Sequence, residues 1–150
     1  MIGQFEIYLT SENIYLWTNI GVLPFWLLLI FVPNSSITKI FTNSIILPLI
    51  LASAYTYTIY QTILLQESFT NIFGLYMDLD NLYTIFATES FLLLFWLHFV
   101  TLNLFLGSWI ARDGIKHNTP RGLIAIILIL IYFTGPVGLV LYWIFRIFYS

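Results

Sequence analysis

Four stretches of this chain, residues 14–32, 45–65, 91–110 and 123–145, run for about twenty residues each without a Lys, Arg, Asp or Glu. An α-helix rises about 1.5 Å per residue, so roughly 20 apolar residues match the hydrocarbon of a bilayer, and each stretch reads as one crossing. A water-soluble domain carries about a quarter charged residues. Here 8% are charged and 60% hydrophobic, with 29 aromatic side chains and a mean hydropathy of +0.93. The expected architecture is an all-α integral membrane protein, with four transmembrane helices forming a single domain over residues 1–150.

The connections fit that reading. Pro33-Asn34-Ser35-Ser36 closes the first stretch, because proline cannot continue a helix. Residues 112–121 hold Arg112, Asp113, Lys116, His117 and Arg121 and are too polar for hydrocarbon. Lys39, Arg112, Lys116 and Arg121 fall in the first and third connections, and Arg146 alone falls on the side of both termini. The positive-inside rule then places those connections in cytoplasm, matrix or stroma and both termini opposite. Met1-Ile2-Gly3-Gln4-Phe5-Glu6 has no basic region, so neither a secretory signal nor an Arg-rich transit peptide is expected.

Between the second and third stretches, residues 66–90 are too apolar to float freely. Phe69, Ile72, Phe73, Tyr76, Leu79, Tyr83 and Phe86 recur at helical spacing, which predicts an amphipathic helix in the membrane interface. It carries Asp78 and Asp80 where a lipid-binding helix would carry Lys or Arg, so it is expected to pack on protein, either capping the bundle or docking another subunit.

Several chemistries drop out. Five basic residues against seven acids leave no surface for nucleic acid. Without cysteine there is no disulfide, thiolate metal site or thiol nucleophile. A single histidine at membrane depth cannot hold a haem between two imidazoles, and no H-E-x-x-H or carboxylate cluster supports a metal, so neither metal nor cofactor is expected.

The third stretch is the informative one, because His98 and Asn103 bracket its centre. At 100° per residue, Glu89, Trp96, Asn103 and Gly107 share one stripe, and His98, Thr101, Phe105, Trp109 and Arg112 another. A helix polar on two faces is expected to be surrounded by protein. Either the two groups tie helices together, at about 0.6 kcal/mol each, or one faces a ligand or proton path. Pro24 and Pro136 free the carbonyls of Ile20 and Tyr132, with Asn19, Tyr132 and Thr134 nearby to satisfy them. Thr134 and Gly138, four apart, let a neighbouring backbone come close. Glu89 reads as a helix-start residue suited to the dipole, and Tyr55, Tyr57 and Tyr60 as packing groups. Trp17, Trp26, Trp109, Trp143 and Tyr149 at helix ends read as interfacial belts.

Three segments carry a resemblance: Thr18-Asn19-Ile20-Gly21-Val22-Leu23-Pro24-Phe25-Trp26 with Pro33 and Thr38-Lys39; Trp96-Leu97-His98 leading to Leu104-Phe105-Leu106-Gly107-Ser108-Trp109-Ile110-Ala111-Arg112-Asp113; and Gly135-Pro136-Val137-Gly138-Leu139-Val140-Leu141-Tyr142 with Arg146. In order and spacing they resemble the neoxanthin-synthase-like proteins, the abscisic-acid-deficient type of plants and algae, with bacterial relatives. That resemblance implies a four-helix membrane protein. For plant members it implies conversion of violaxanthin to neoxanthin, which needs a general acid at the epoxide oxygen and a base for a carbon-bound proton. The family pattern has Asp five residues after the histidine of W-x-H, and this chain has Asn103, an amide that cannot trade protons.

Two functional readings follow. The first is a non-catalytic accessory subunit of a mitochondrial inner-membrane respiratory or ATP-synthase assembly. Abundant Phe, Tyr, Ile and Asn suit an AT-rich organelle genome, and the contacts would run through residues 66–90 and the helix faces. Plastid and bacterial inner membranes are the alternatives. The second is an isoprenoid-binding protein or enzyme with a lipid-accessible cleft between the first, third and fourth stretches. Asn19, Trp26, Trp96, His98 and Asn103 would line that cleft, with His98 the candidate catalytic group.

Overall fold

The computed structural model describes residues 9–41, 46–64 and 76–149, and the regular structure of these residues is helical. α1 spans Ser11–Phe31, α2 Ser36–Phe41, and α3 Ile46–Ile59, which continues as a π-turn over Tyr60–Leu64. α4 spans Leu79–Phe86, α5 Glu89–Lys116, α6 Arg121–Thr134 and α7 Pro136–Tyr149. Two of these, α1 and α5, are long and apolar enough to cross a membrane. Large apolar side chains lie uncovered on the surface, Trp17 at 71%, Phe31 at 74% and Phe133 at 69% exposure, as in a protein whose solvent is lipid. α1 runs through Pro24 without ending.

The chain divides into two compact units, residues 1–18 with 50–99 and residues 19–49 with 100–150. In the second unit the fourth apolar stretch is not one helix. α6 runs back along α5, with Leu128 against Gly107 and Ile124 against Gly114. The chain then turns at Gly135, beside Asn103, and α7 returns to bring Tyr142 and Arg146 onto Asp113. Pro136 has no N–H to continue α6. Gly135 takes a left-handed φ of 54°, and its own N–H closes α6 on the Ile131 carbonyl. Gly138 has no Cβ, which seats α7 against Ile131 and Ile127 of α6. At 14 residues each, α6 and α7 rise only about 21 Å. The small-residue spacing therefore does bring a backbone close, and the neighbour is the helix just before it.

α5 extends six residues beyond the predicted crossing to Lys116. It ends where Asn118 takes φ 53° and the Thr119 N–H returns to the Gly114 carbonyl at 2.9 Å, a Schellman closure with asparagine in glycine's place. Its first stripe turns inward as expected at Asn103 and Gly107; on the second, His98, Phe105 and Arg112 are exposed while Thr101 and Trp109 are half-buried.

The first unit holds α4, whose N-cap is Asp78. The carboxylate accepts the Asn81 N–H at 2.7 Å and also holds the Asn81 side-chain amide at 2.7 Å. Local capping thus explains this acid without a protein partner. Phe86 packs on Phe91 and Phe95, with ring centroids 6.3 and 5.0 Å away. Leu79 and Tyr83, expected on the face that caps the bundle or docks another subunit, are 76% and 78% exposed. Phe69, Ile72 and Phe73 lie outside the described residues.

Candidate functional site

In the second unit, the C-terminal end of α5 faces the C-terminal half of α7. Asp113 and His117 are four apart on one helix, and Tyr142 and Arg146 four apart on the other, so each pair shares a face. The Tyr142 hydroxyl donates to Asp113 Oδ2 at 2.6 Å. Arg146 Nε lies 2.7 Å from the same oxygen, an ion pair by charge and distance although its N–H is not aimed for a hydrogen bond. Arg146 Nη2 reaches Asp113 Oδ1 at 3.5 Å. His117 Nδ1 is 2.9 Å from the Asp113 carbonyl, which can only accept, so this nitrogen carries the proton. Its Nε2 lies 3.5 Å from Arg146 Nη2.

α5 is longer than the hydrocarbon core, and Asp113 lies three residues past its apolar stretch, outside the spanning segment. Burial raises the Asp113 carboxyl's pKa, but the Tyr142 hydroxyl and the Arg146 and His117 charges outweigh that, so it sits below its ordinary 3.8. Trp143 lies under the Arg146 guanidinium at 4.7 Å, and Trp109 meets Tyr142 edge to face at 5.8 Å. Two charges that hold each other this closely clamp two helices.

The first unit holds two clefts. A cleft of about 360 Å³ is lined by Ser11, Glu12, Tyr15, Glu89, Leu92, Leu93 and Trp96. Its wall is a tilted ring pair, Tyr15 and Trp96, with centroids 5.7 Å apart. A second cleft of about 420 Å³ shares Ser11, Glu89 and Leu93 with the first and adds Tyr57, Thr58, Gln61, Thr62 and Ser90. The first cleft is largely hydrocarbon and aromatic; the second presents hydroxyls and an amide.

Of the residues singled out from the sequence, Trp96 lines the apolar cleft, and His98 is exposed with its ring 5.9 Å from Tyr55. The expectation that His98 points inward is therefore not met. Trp26 is 3% exposed and fills the second unit's interior, edge to face with Tyr132 and over Gly107, so it is not part of an interfacial belt. Asn103 is 7% exposed with an unpartnered Nδ2, and its carboxamide lies against Gly135. Asn19 is half-buried and engaged. The structure brings Trp96 and His98 into the first unit and Asn19, Trp26 and Asn103 into the second. Sequence reasoning treated Glu89 as a helix-start residue and did not single out Tyr15, Gln61 or Thr62. Asp113, Tyr142 and Arg146 carried the resemblance without any sign that they meet.

Compared with known proteins, the chain matches a family model described as ABA DEFICIENT 4-like over residues 13–142. No curated protein and no solved structure matches it.

Proposed function

The chain belongs to the ABA DEFICIENT 4-like family, and from that premise we propose that it is an integral membrane protein that binds an isoprenoid, or a similarly long apolar molecule, between its helices. The observation that carries this reading is the apolar cleft walled by Tyr15 and Trp96. Flat conjugated or methyl-branched chains stack well on aromatic faces, and small-molecule sites are commonly apolar clefts with a few polar groups. The epoxide-opening chemistry implied by the resemblance would call for a carboxyl at position 103. The buried amide there favours binding without proton transfer.

Purification of the full chain in mild detergent, followed by extraction and mass spectrometry, tests the reading. A co-purifying isoprenoid that is lost in Trp96→Ala is expected; a protein that emerges empty and takes up none overturns it.

A second reading is favoured by α4. Among its residues none is buried, and Tyr76, Met77, Leu79 and Tyr83 form an uncovered apolar surface beside Asp78 and Asp80. Such a surface suits a non-catalytic subunit seated in a larger assembly of the mitochondrial inner membrane. On a native gel that subunit migrates with the assembly, and a protein running alone removes this reading.

A further inference from the structure

The two clefts of the first unit meet at Glu89, and their chemistry differs on either side of it. On one side lie Tyr15, Trp96 and Leu92; on the other lie Gln61, Thr62 and Ser90. Thr62 is 6% exposed yet lines the polar cleft. Thr56 and Thr58 give their hydroxyls to the carbonyls four residues back, Ala52 and Ala54, at 2.8 and 2.9 Å. The π-turn carries Thr62 out of that register. A threonine hydroxyl on the wall of a cleft is placed to bond what enters it, and π-turns recur at functional sites. Charge narrows what that something is. Residues 1–18 and 50–99 contain no Lys or Arg and six of the chain's seven acids, and their one histidine, His98, is not among the residues that line either cleft, so no cationic side chain faces these clefts to neutralise a phosphate or carboxylate.

We infer that the paired clefts form one site for the neutral, hydroxyl-bearing end of an apolar molecule, its chain against Tyr15 and Trp96 and its hydroxyl shared between Glu89 and Thr62. This rests on the reading above that the apolar cleft holds such a chain. The hydroxyl donates to the Glu89 carboxylate and accepts from Thr62, and Gln61, held by the Tyr57 hydroxyl at 2.8 Å, closes the polar wall.

Native mass spectrometry of the detergent-solubilised full chain tests this with three probes of one chain length: geranylgeraniol, its methyl ether and its monophosphate. The alcohol is expected to bind about tenfold more tightly than the ether, which cannot donate, and the monophosphate to compete with neither. Glu89→Gln, at an exposed position, should shrink the alcohol's advantage severalfold and leave ether binding unchanged, whereas Thr62→Val, which keeps the shape but removes the donor that both oxygens accept from, should weaken alcohol and ether alike. Equal binding of alcohol and ether, an advantage that survives Glu89→Gln, alcohol binding untouched by Thr62→Val, or competition by the monophosphate overturns the inference while the isoprenoid reading stands. If no probe binds, the underlying reading falls with it.

Discussion

Asp113 is the residue on which the second unit's two helix ends depend, because it takes the Tyr142 hydroxyl and the Arg146 guanidinium together. Hydrogen bonds to charged groups are worth about 1.5–3 kcal/mol, so Tyr142→Phe should lower unfolding free energy by about that amount in detergent denaturation, with the fold kept. A loss under 0.5 kcal/mol would mean the 2.6 Å contact contributes nothing net. The sign of the pH dependence follows from the lowered Asp113 pKa. A carboxyl titrating lower in the folded than in the unfolded chain adds stability above its ordinary pKa of 3.8, and that stability is lost as pH falls through the folded value. Thermal melts should therefore show an acid limb that Asp113→Asn flattens; an unchanged limb in the variant would assign it to other acids. None of this was legible from the sequence as a site. Asp113 stands 29 residues from Tyr142 and 33 from Arg146, and only a chain reversal brings them together. The one local signal was the pairing of polar residues four apart at both helix ends.

At the level of elements, the reversal between α6 and α7 depends on two glycines for different reasons. Gly135→Ala puts a side chain at φ 54°, costing about 1–2 kcal/mol in backbone strain, and its Cβ would lie 2.5 Å from Asn103 Oδ1. Adding Asn103→Ala should recover the collision but not the strain, and a double-mutant cycle in denaturant measures the split. Gly138→Ala drives a methyl to 2.9 Å from the Ile131 nitrogen and 3.1 Å from the Ile127 carbonyl, backbone atoms that cannot rotate away. Overpacking of this kind costs about 1–3 kcal/mol. Gly122, with nothing within 4 Å of the added methyl, is the control, and Gly122→Ala should be neutral or slightly stabilising. Equal effects at 122 and 138 would refute the tight α6 to α7 contact. The sequence displayed Pro136 and the small pair at 134 and 138, which marked a weak point in the helix and a close approach. It did not display the reversal, because proline breaks within membrane helices more often kink than fold back, and hydrophobicity alone continues unbroken from 123 to 145. Periodicity served α5 better: the stripe of Asn103 and Gly107 is the buried one, and on the other stripe it is the burial of His98 and Phe105 that was misjudged.

Over the whole chain, composition was the most legible level: few charges and abundant aromatics required an apolar surround, and α1 and α5 meet the length that a crossing needs. Sidedness was less legible, since counting Lys and Arg by loop takes the number of crossings as given. With 123–145 as one crossing, Arg146 falls opposite Arg112, Lys116 and Arg121. The contact between Arg146 and Asp113 puts it instead at the same end of the second unit as the connection from α5 to α6. Arg112, Lys116, Arg121 and Arg146, four of the five basic residues, then gather at one end of that unit, and the positive-inside rule predicts the cytoplasmic, matrix or stromal face for it. On that prediction α6 and α7 enter and leave on one face, a shape tolerated at membrane depth only where protein covers the turn, and Gly135 is buried. The chain has no cysteine, so Lys116→Cys and Phe148→Cys can be labelled singly on a blank background. In sealed vesicles a membrane-impermeant maleimide should modify both from the same face and neither from the other. Labelling from opposite faces would restore a single crossing over 123–145 and separate Asp113 from Arg146, and the acid limb predicted for Asp113 would then have to vanish as well.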